Sequence, residues 1–542
     1  MQQLDSEVVG HHALVIDGNP TSRSVMFQQL REFGFGTVKA VPKISDARDH
    51  LERRRYQVVI CDDHFENGKE SGQDLLDELR RENMMPYSTV FMMVTGEATY
   101  QKVAEAAEAA LDSYLIKPFS ANTLFERLKE SRQRKRVLKD IFDAMDAKQL
   151  ELAAQLCLNR FYEKQMYWLY AARIGAEILL ILKRNEEAKV LFDAVIESKA
   201  VPWARLGVAR VQLSDGEIVQ ARRTLESLMG DHPTYADCYD VMGKVQMEQG
   251  NIDEALATYR TAATITPGCI LRLQHCGTLS FYGGDNATAT QMLERTWQMG
   301  NKSRLFDVLS MMLLAFLRYD MHDTKALSVA LEVLERFSKT YEQSVRLRRM
   351  AEIGNILYIL NDGQSAVGVL RAREMLEEIH RPDFDMEAGT NMLSLWSRLD
   401  QHGVLDPEYS QVVNQVARRF AVNKAASEVL AAAVRLTPQA VQWVRDAHAE
   451  IMQLAEQAMN HALRGQPKAA VETLLLHGQN TGNAKLIEMA SAVAKRHREK
   501  IEEADALIHS AESLAHRYCA PATHIAGVRR SNRSAGGLVI RR

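Results

Sequence analysis

Cysteine is scarce in this chain of 542 residues: six thiols (Cys61, Cys157, Cys238, Cys269, Cys276 and Cys519) lie scattered, with no CxxC pair. That pattern excludes a disulfide scaffold and a cysteine-based zinc site, and it suits a reducing compartment. Twelve prolines and 29 glycines are too few for a collagen-like or linker-type chain. No apolar run approaches the roughly 18 residues needed to cross a bilayer, so a membrane partner is not expected. The opening MQQLDSEVVGHH has no basic stretch leading into an apolar one, and a cytoplasmic location is the expectation. With a net charge of −3, bulk affinity for nucleic acid is not expected either.

An apolar content of 46% is ample for real cores, and the length predicts several domains. Two textures divide the chain. From Ala13 to about Glu130, short β-rich runs (ALVID, YQVVICD, VFMMVT, SYLIKP and the weaker VKAV) alternate with amphipathic helical stretches. Near-continuous apolar runs are what strands buried on both faces of a parallel sheet require, and five alternations predict a doubly wound α/β domain. In that architecture the site forms from loops at the carboxyl ends of the strands.

Beyond residue 130 the strand texture stops and helix-forming composition takes over. Ala154, Ala188, Ala221 and Ala255 recur at 34, 33 and 34 residues, and Gly243, Gly250, Ala255, Tyr259, Ala262 and Pro267 carry the small-residue and proline spacing of a helix–turn–helix repeat. Small residues permit close helix approach, and the proline ends the second helix. The segment 233–267 resembles the tetratricopeptide (TPR) family, which implies an all-α superhelical solenoid that holds a peptide or helix of a partner protein in its groove. The period blurs between about 300 and 440 and resurfaces at GQPKAAVETLL, residues 465–475. Expected boundaries are an N-terminal tail 1–9, an α/β domain 10–130, a basic helical linker 131–145, repeats 146–300, degenerate repeats 301–515 and a basic disordered tail 516–542. The run RLKESRQRKRVLK (127–139), seven Lys/Arg against one Glu, reads as a solvated continuation of the last α/β helix.

Acidic and polar residues converge at the predicted strand ends: Asp17, Asp62 with Asp63, Thr95, and Lys117 before Pro118. A carboxylate that accepts a phosphoryl group needs charge screening, a hydroxyl and an ammonium for the phosphoryl oxygens, and an open mouth. The motifs LVIDGNPTSR, YQVVICDD, VFMMVTGEA and YLIKPFSANTL, in this order and spacing, resemble the response-regulator receiver of two-component signalling. The resemblance implies a flavodoxin-like five-stranded parallel sheet, with Asp62 as phosphoacceptor, Thr95 as switch hydroxyl, Lys117 as phosphate-binding lysine and Tyr114 as the aromatic that changes rotamer. It also implies Mg²⁺ held by Asp17, Asp62 and the backbone carbonyl of His64, and a sensor histidine kinase or phosphotransfer protein as phosphodonor. A homodimer through the receiver is a further partner the family admits.

Two departures bear on that reading. Receivers carry adjacent acids after the first strand, whereas here the pair is Asp17-Gly18, so Mg²⁺ is expected to bind weakly. The loop DDHFENGKESG (62–72) is about two residues longer than usual. The alternative is a pseudo-receiver that keeps the fold and scaffolds partners without phosphate chemistry. No enzyme motif beyond the receiver's own phosphorylation and dephosphorylation occurs.

Overall fold

In the computed structural model, described residues are 6–63, 65, 72–82, 84–96, 113–199, 201–301, 303, 305–401 and 407–519. Five strands, β1 (His12–Ile16), β2 (Thr37–Val41), β3 (Val58–Asp62), β4 (Val90–Thr95) and β5 (Ser113–Ile116), pair in parallel in the order β2-β1-β3-β4-β5. Every residue of β3 and β4 is buried, which is why these strands read as unbroken apolar runs. The weak VKAV segment is the edge strand β2, and its exposed Lys39 accounts for the faint signal. Helices α1 (Pro20–Glu32), α2 (Ile44–Arg53), α3 (Gly72–Arg81) and α4 (Ala121–Val137) flank the sheet. Separate apolar cores form on its two sides, one around Val15, Ile60 and Phe125, the other around Leu14, Val59 and Leu76.

Helical hairpins follow. Their first helices begin at Trp168, Pro202, Ala236 and Ile270, 34 residues apart each time. Gly243 shows why the spacing needs small residues: a Cβ there would meet the Tyr259 ring at 2.4 Å. Helix Ile252–Ile265 stops just before Pro267, as the missing N–H and fixed φ of proline require. Later first helices begin at Leu309, Val345, Met386 and Lys424, so the spacing becomes 39, 36, 41 and 38 residues. Hairpins thus continue through the stretch where the sequence period blurs, with longer helices such as Thr324–Thr340 and an extra 3-10 turn at Met375–His380.

The array closes on itself. Helix Lys424–Ala433 contacts both Ala236–Glu248 and Ile270–Gly283, and Ala426, Val429 and Leu430 share one apolar core with Tyr259, Leu279 and Phe281. Arg435 lies over the Phe281 ring, donates to the Phe281 carbonyl, and reaches Asn286 Oδ1 at 3.0 Å. The TPR resemblance implies a groove that holds a partner; in this stretch the first helices of two hairpins pack instead against a helix of the same chain.

Three elements run across the expected boundaries. Residues 6–10 form a 3-10 turn whose Val8 is fully buried, so the α/β domain starts inside the expected tail. Helix α4 runs through residue 130, and Ser131, Arg132 and Lys135 are buried rather than solvated. Arg132 pairs with His11 Nδ1 at 2.7 Å, and Lys135 donates to the Tyr87 carbonyl at 2.7 Å and sits over the Phe142 ring. The last helix, Ala504–Tyr518, passes residue 515, and residues 520–542 of the expected tail lie outside the described residues.

Candidate functional site

Asp17, Asp62, Thr95 and Lys117 occupy the carboxyl ends of β1, β3, β4 and β5, at the edge of the parallel sheet. Lys117 ties the site together: its Nζ donates to Asp17 Oδ2 at 2.8 Å and to Asp62 Oδ2 at 2.9 Å. Burial pulls the ammonium's pKa down, but hydrogen bonds and charge from Asp17 and Asp62 outweigh it and leave the value raised, so the lysine is charged at neutral pH. The Lys117 N–H also donates to the Thr95 carbonyl at 2.7 Å, which fixes the lysine to the strand carrying the hydroxyl. Thr95 is fully buried and Asp62 is 8% exposed. Gly96 has open space beside it, with nothing within 4 Å of where a Cβ would stand. Tyr114 packs its ring against the core that contains Met93.

Sequence reasoning missed the groups that hold Asp17. Its Oδ1 accepts from the Asn19 N–H at 2.7 Å, and its Oδ2 accepts from Ser22 Oγ at 2.6 Å as well as from Lys117. Asn19 caps α1, accepting from the N–H groups of Thr21 and Ser22 at 3.0 Å, and Pro20 occupies the first helical position. The Asn-Pro-Thr-Ser string was the signal for this turn. Arg23 donates to the carbonyls of Asp17 at 2.6 Å and Gly18 at 3.2 Å. Gly72, the first residue of α3, packs against β3, since a Cβ there would stand 2.4 Å from the Asp62 carbonyl oxygen. Asp63 donates its N–H to the Val94 carbonyl at 2.9 Å.

Among the described residues the donor set does not complete a shell for a divalent cation. Asp17 already accepts from three donors, Gly18 brings no carboxylate, and no cluster of three or more metal-ligating side chains exists there. His64, expected to supply a backbone carbonyl, lies outside the described residues. A side chain at position 18 would fit, because the nearest atom to a Cβ there is 3.8 Å away. What the site offers chemically is a carboxylate with an ammonium already against it, beside a buried hydroxyl at the end of the next strand.

Residues 13–129 match the family model of the response regulator receiver domain. The chemotaxis protein CheY-3 of Vibrio cholerae is 30% identical over 115 residues, which span 21% of this chain and 86% of that protein. The chain belongs to the response-regulator family. A second relative, the chemotaxis protein CheY of Pseudomonas aeruginosa, is 28% identical over 121 residues, 22% of this response regulator and 95% of the relative. For the helical region, a tetratricopeptide repeat protein of Parabacteroides merdae matches at TM-score 0.33 and 13% identity, covering 52% of this chain and 98% of that one. A thermophilic TPR protein of Thermus thermophilus matches at TM-score 0.26 and 19% identity, covering 34% and 97%. The TPR-type assignment of this regulator's array rests on its own 34-residue hairpin spacing. No helix among the described residues is long and apolar enough to cross a membrane.

Proposed function

We propose that this response regulator accepts a phosphoryl group on Asp62 from a sensor histidine kinase or phosphotransfer protein and signals through protein contacts of its helical array. The observation that carries the reading is the Lys117 ammonium held within 2.9 Å of the Asp62 carboxylate. In the transfer, the donor's N–P bond breaks as the Asp62 oxygen bonds phosphorus, and Lys117 is placed to follow the new phosphoryl oxygens. Thr95 supplies the hydroxyl that the phosphoryl group would draw in, and Tyr114 the ring that would repack beside it. Mg²⁺ binding at Asp17 and Asp62 is weak in this reading, because Gly18 brings no carboxylate. Hairpins at 139–231, outside the stretch covered by Lys424–Ala433, supply the surface for a partner protein. The only chemistry proposed is the receiver's own phosphorylation and dephosphorylation.

A second reading, the pseudo-receiver scaffold, draws on the three donors that already hold Asp17 and on the missing acid at position 18. Intact mass after incubation with phosphoramidate, with and without Mg²⁺, separates the two. One phosphoryl group gained by wild type and none by Asp62→Asn supports the phosphoacceptor; no gain at any Mg²⁺ concentration favours the scaffold.

A further inference from the structure

Glu78 on α3 is a fully buried carboxylate, and what buries it comes from two directions. Within the receiver, Arg48 of α2 forks onto it, Nε to Oε1 and a terminal nitrogen to Oε2, both at 2.9 Å. From 225 residues away, Ser303 Oγ donates to Oε2 at 3.2 Å. Leu75, Leu76 and Leu79 turn one face of α3 onto the sheet, so Glu78 stands at the flank of that face. An acid in that position is ordinarily solvated, and a buried one needs partners.

Ser303 is itself buried and sits in the link between helices Asn286–Gly300 and Leu309–Asp320. The same link carries Phe306, whose ring packs edge-on against Trp297 at 5.3 Å, and Asp307, which receives Arg346 at 2.6 Å. Arg346 also binds Glu387 of helix Met386–Asp400. The link is therefore built into the array's core rather than hanging from it. At the other end of α3, Gly72 is packed on the Asp62 carbonyl and donates its N–H to the Asp63 carbonyl at 3.2 Å. A second clasp holds the loop before β4: the Tyr87 N–H donates to Asp146 Oδ1 at 3.2 Å while its carbonyl accepts from Lys135.

We propose that the α3 face is the receiver's output surface, and that its partner is the same chain's helical array at Ser303 and 305–307, engaged through the Arg48–Glu78–Ser303 contact. The contact stands on the geometry alone; its dependence on phosphate rests on the phosphoacceptor reading above. A shift of the β3 end on phosphorylation would displace α3 through Gly72 and alter the grip on Ser303, passing the change to Phe306 and Asp307.

Hydrogen exchange on the full chain tests this with Glu78→Ala and the milder Ser303→Ala, which leaves the receiver's own residues unchanged. The expected result is faster exchange at 72–82 and 305–308, by about tenfold for Glu78→Ala and less for Ser303→Ala, with the protection of β1, β3 and β4 unchanged. Should Glu78→Ala fail to fold, Ser303→Ala alone decides. Equal exchange at 305–308 in wild type and Ser303→Ala overturns the contact. For the phosphate dependence, phosphoramidate-treated wild type is compared with Asp62→Asn, with labelling verified by intact mass. Altered exchange at 72–82 and 305–308 in labelled protein supports the output role, and unaltered exchange in fully labelled protein overturns it. Failure to gain a phosphoryl group overturns the phosphoacceptor reading and the phosphate dependence with it, while the two variants still judge the contact.

Discussion

Buried charge is handled in opposite ways at the carboxyl edge of the receiver's sheet and in the helical array. In the receiver, Asp17 and Asp62 share one lysine, a compact ammonium on a flexible stem that can follow an incoming group. In the array, Asp237 and Asp240 are held by Arg272, which is 2% exposed and bonds both acids as well as Thr266 Oγ1 at 2.7 Å. The guanidinium fork leaves its carboxylates nowhere to go. Acids bridged by one lysine at a sheet's carboxyl edge make a site, whereas acids locked by an arginine make a strut.

The contrast breaks most visibly at Arg272. Truncation to Ala takes the guanidinium from a buried Asp237 and a part-buried Asp240 and should cost about 3–5 kcal/mol by denaturant unfolding. Phosphoryl labelling of the receiver should survive under folding conditions. Next in size is a pH effect confined to the array. Burial holds His275 at a pKa of about 4, among Asp240, Lys244, Arg272 and Asp307. Its folded value is depressed, so the unfolded chain binds the proton more readily between pH 6.5 and 4, and stability is lost as pH falls through that window. The loss should approach about 3 kcal/mol and be absent in His275→Gln, as read by unfolding at stepped pH. Comparison of two glycines sharpens the same division. Gly243→Ala drives a methyl into the Tyr259 ring and should destabilise by about 1–3 kcal/mol. Gly18→Ala, with space around it, should change stability by less than about 0.5 kcal/mol. The smallest effect belongs to Lys339→Ala, which removes an exposed pair with Glu335 and should lie within about 0.5 kcal/mol of wild type.

Much of this division was legible in the sequence. Buried parallel strands announced themselves as apolar runs, and Asp17, Asp62, Thr95 and Lys117 could be placed at strand ends because the alternation fixed where each strand stopped. The 34-residue hairpins were legible for the same reason, since Gly243 and Pro267 mark local packing and termination. What escaped is whatever depends on a partner far along the chain. Arg132 and Lys135 sit in a run that reads as solvated, yet they meet His11, Phe35 and Tyr87. The link from Glu78 to Ser303 leaves no trace in spacing. Ser22 and Arg23 were missed because their role is to orient Asp17 rather than to carry chemistry. Between 300 and 440 the hairpins persist, but helix lengths vary, so a fixed-period reading loses them.

In the proposed function the receiver's chemistry ends on one carboxylate, and borohydride trapping locates the acyl phosphate. Phosphoramidate-treated protein is reduced with borohydride, which converts a phosphorylated aspartate to homoserine, and the peptide spanning 56–80 is sequenced by mass spectrometry. Homoserine at position 62 and nowhere else is the predicted result. Homoserine at 63, or none in protein whose intact mass shows a phosphoryl group, would contradict it.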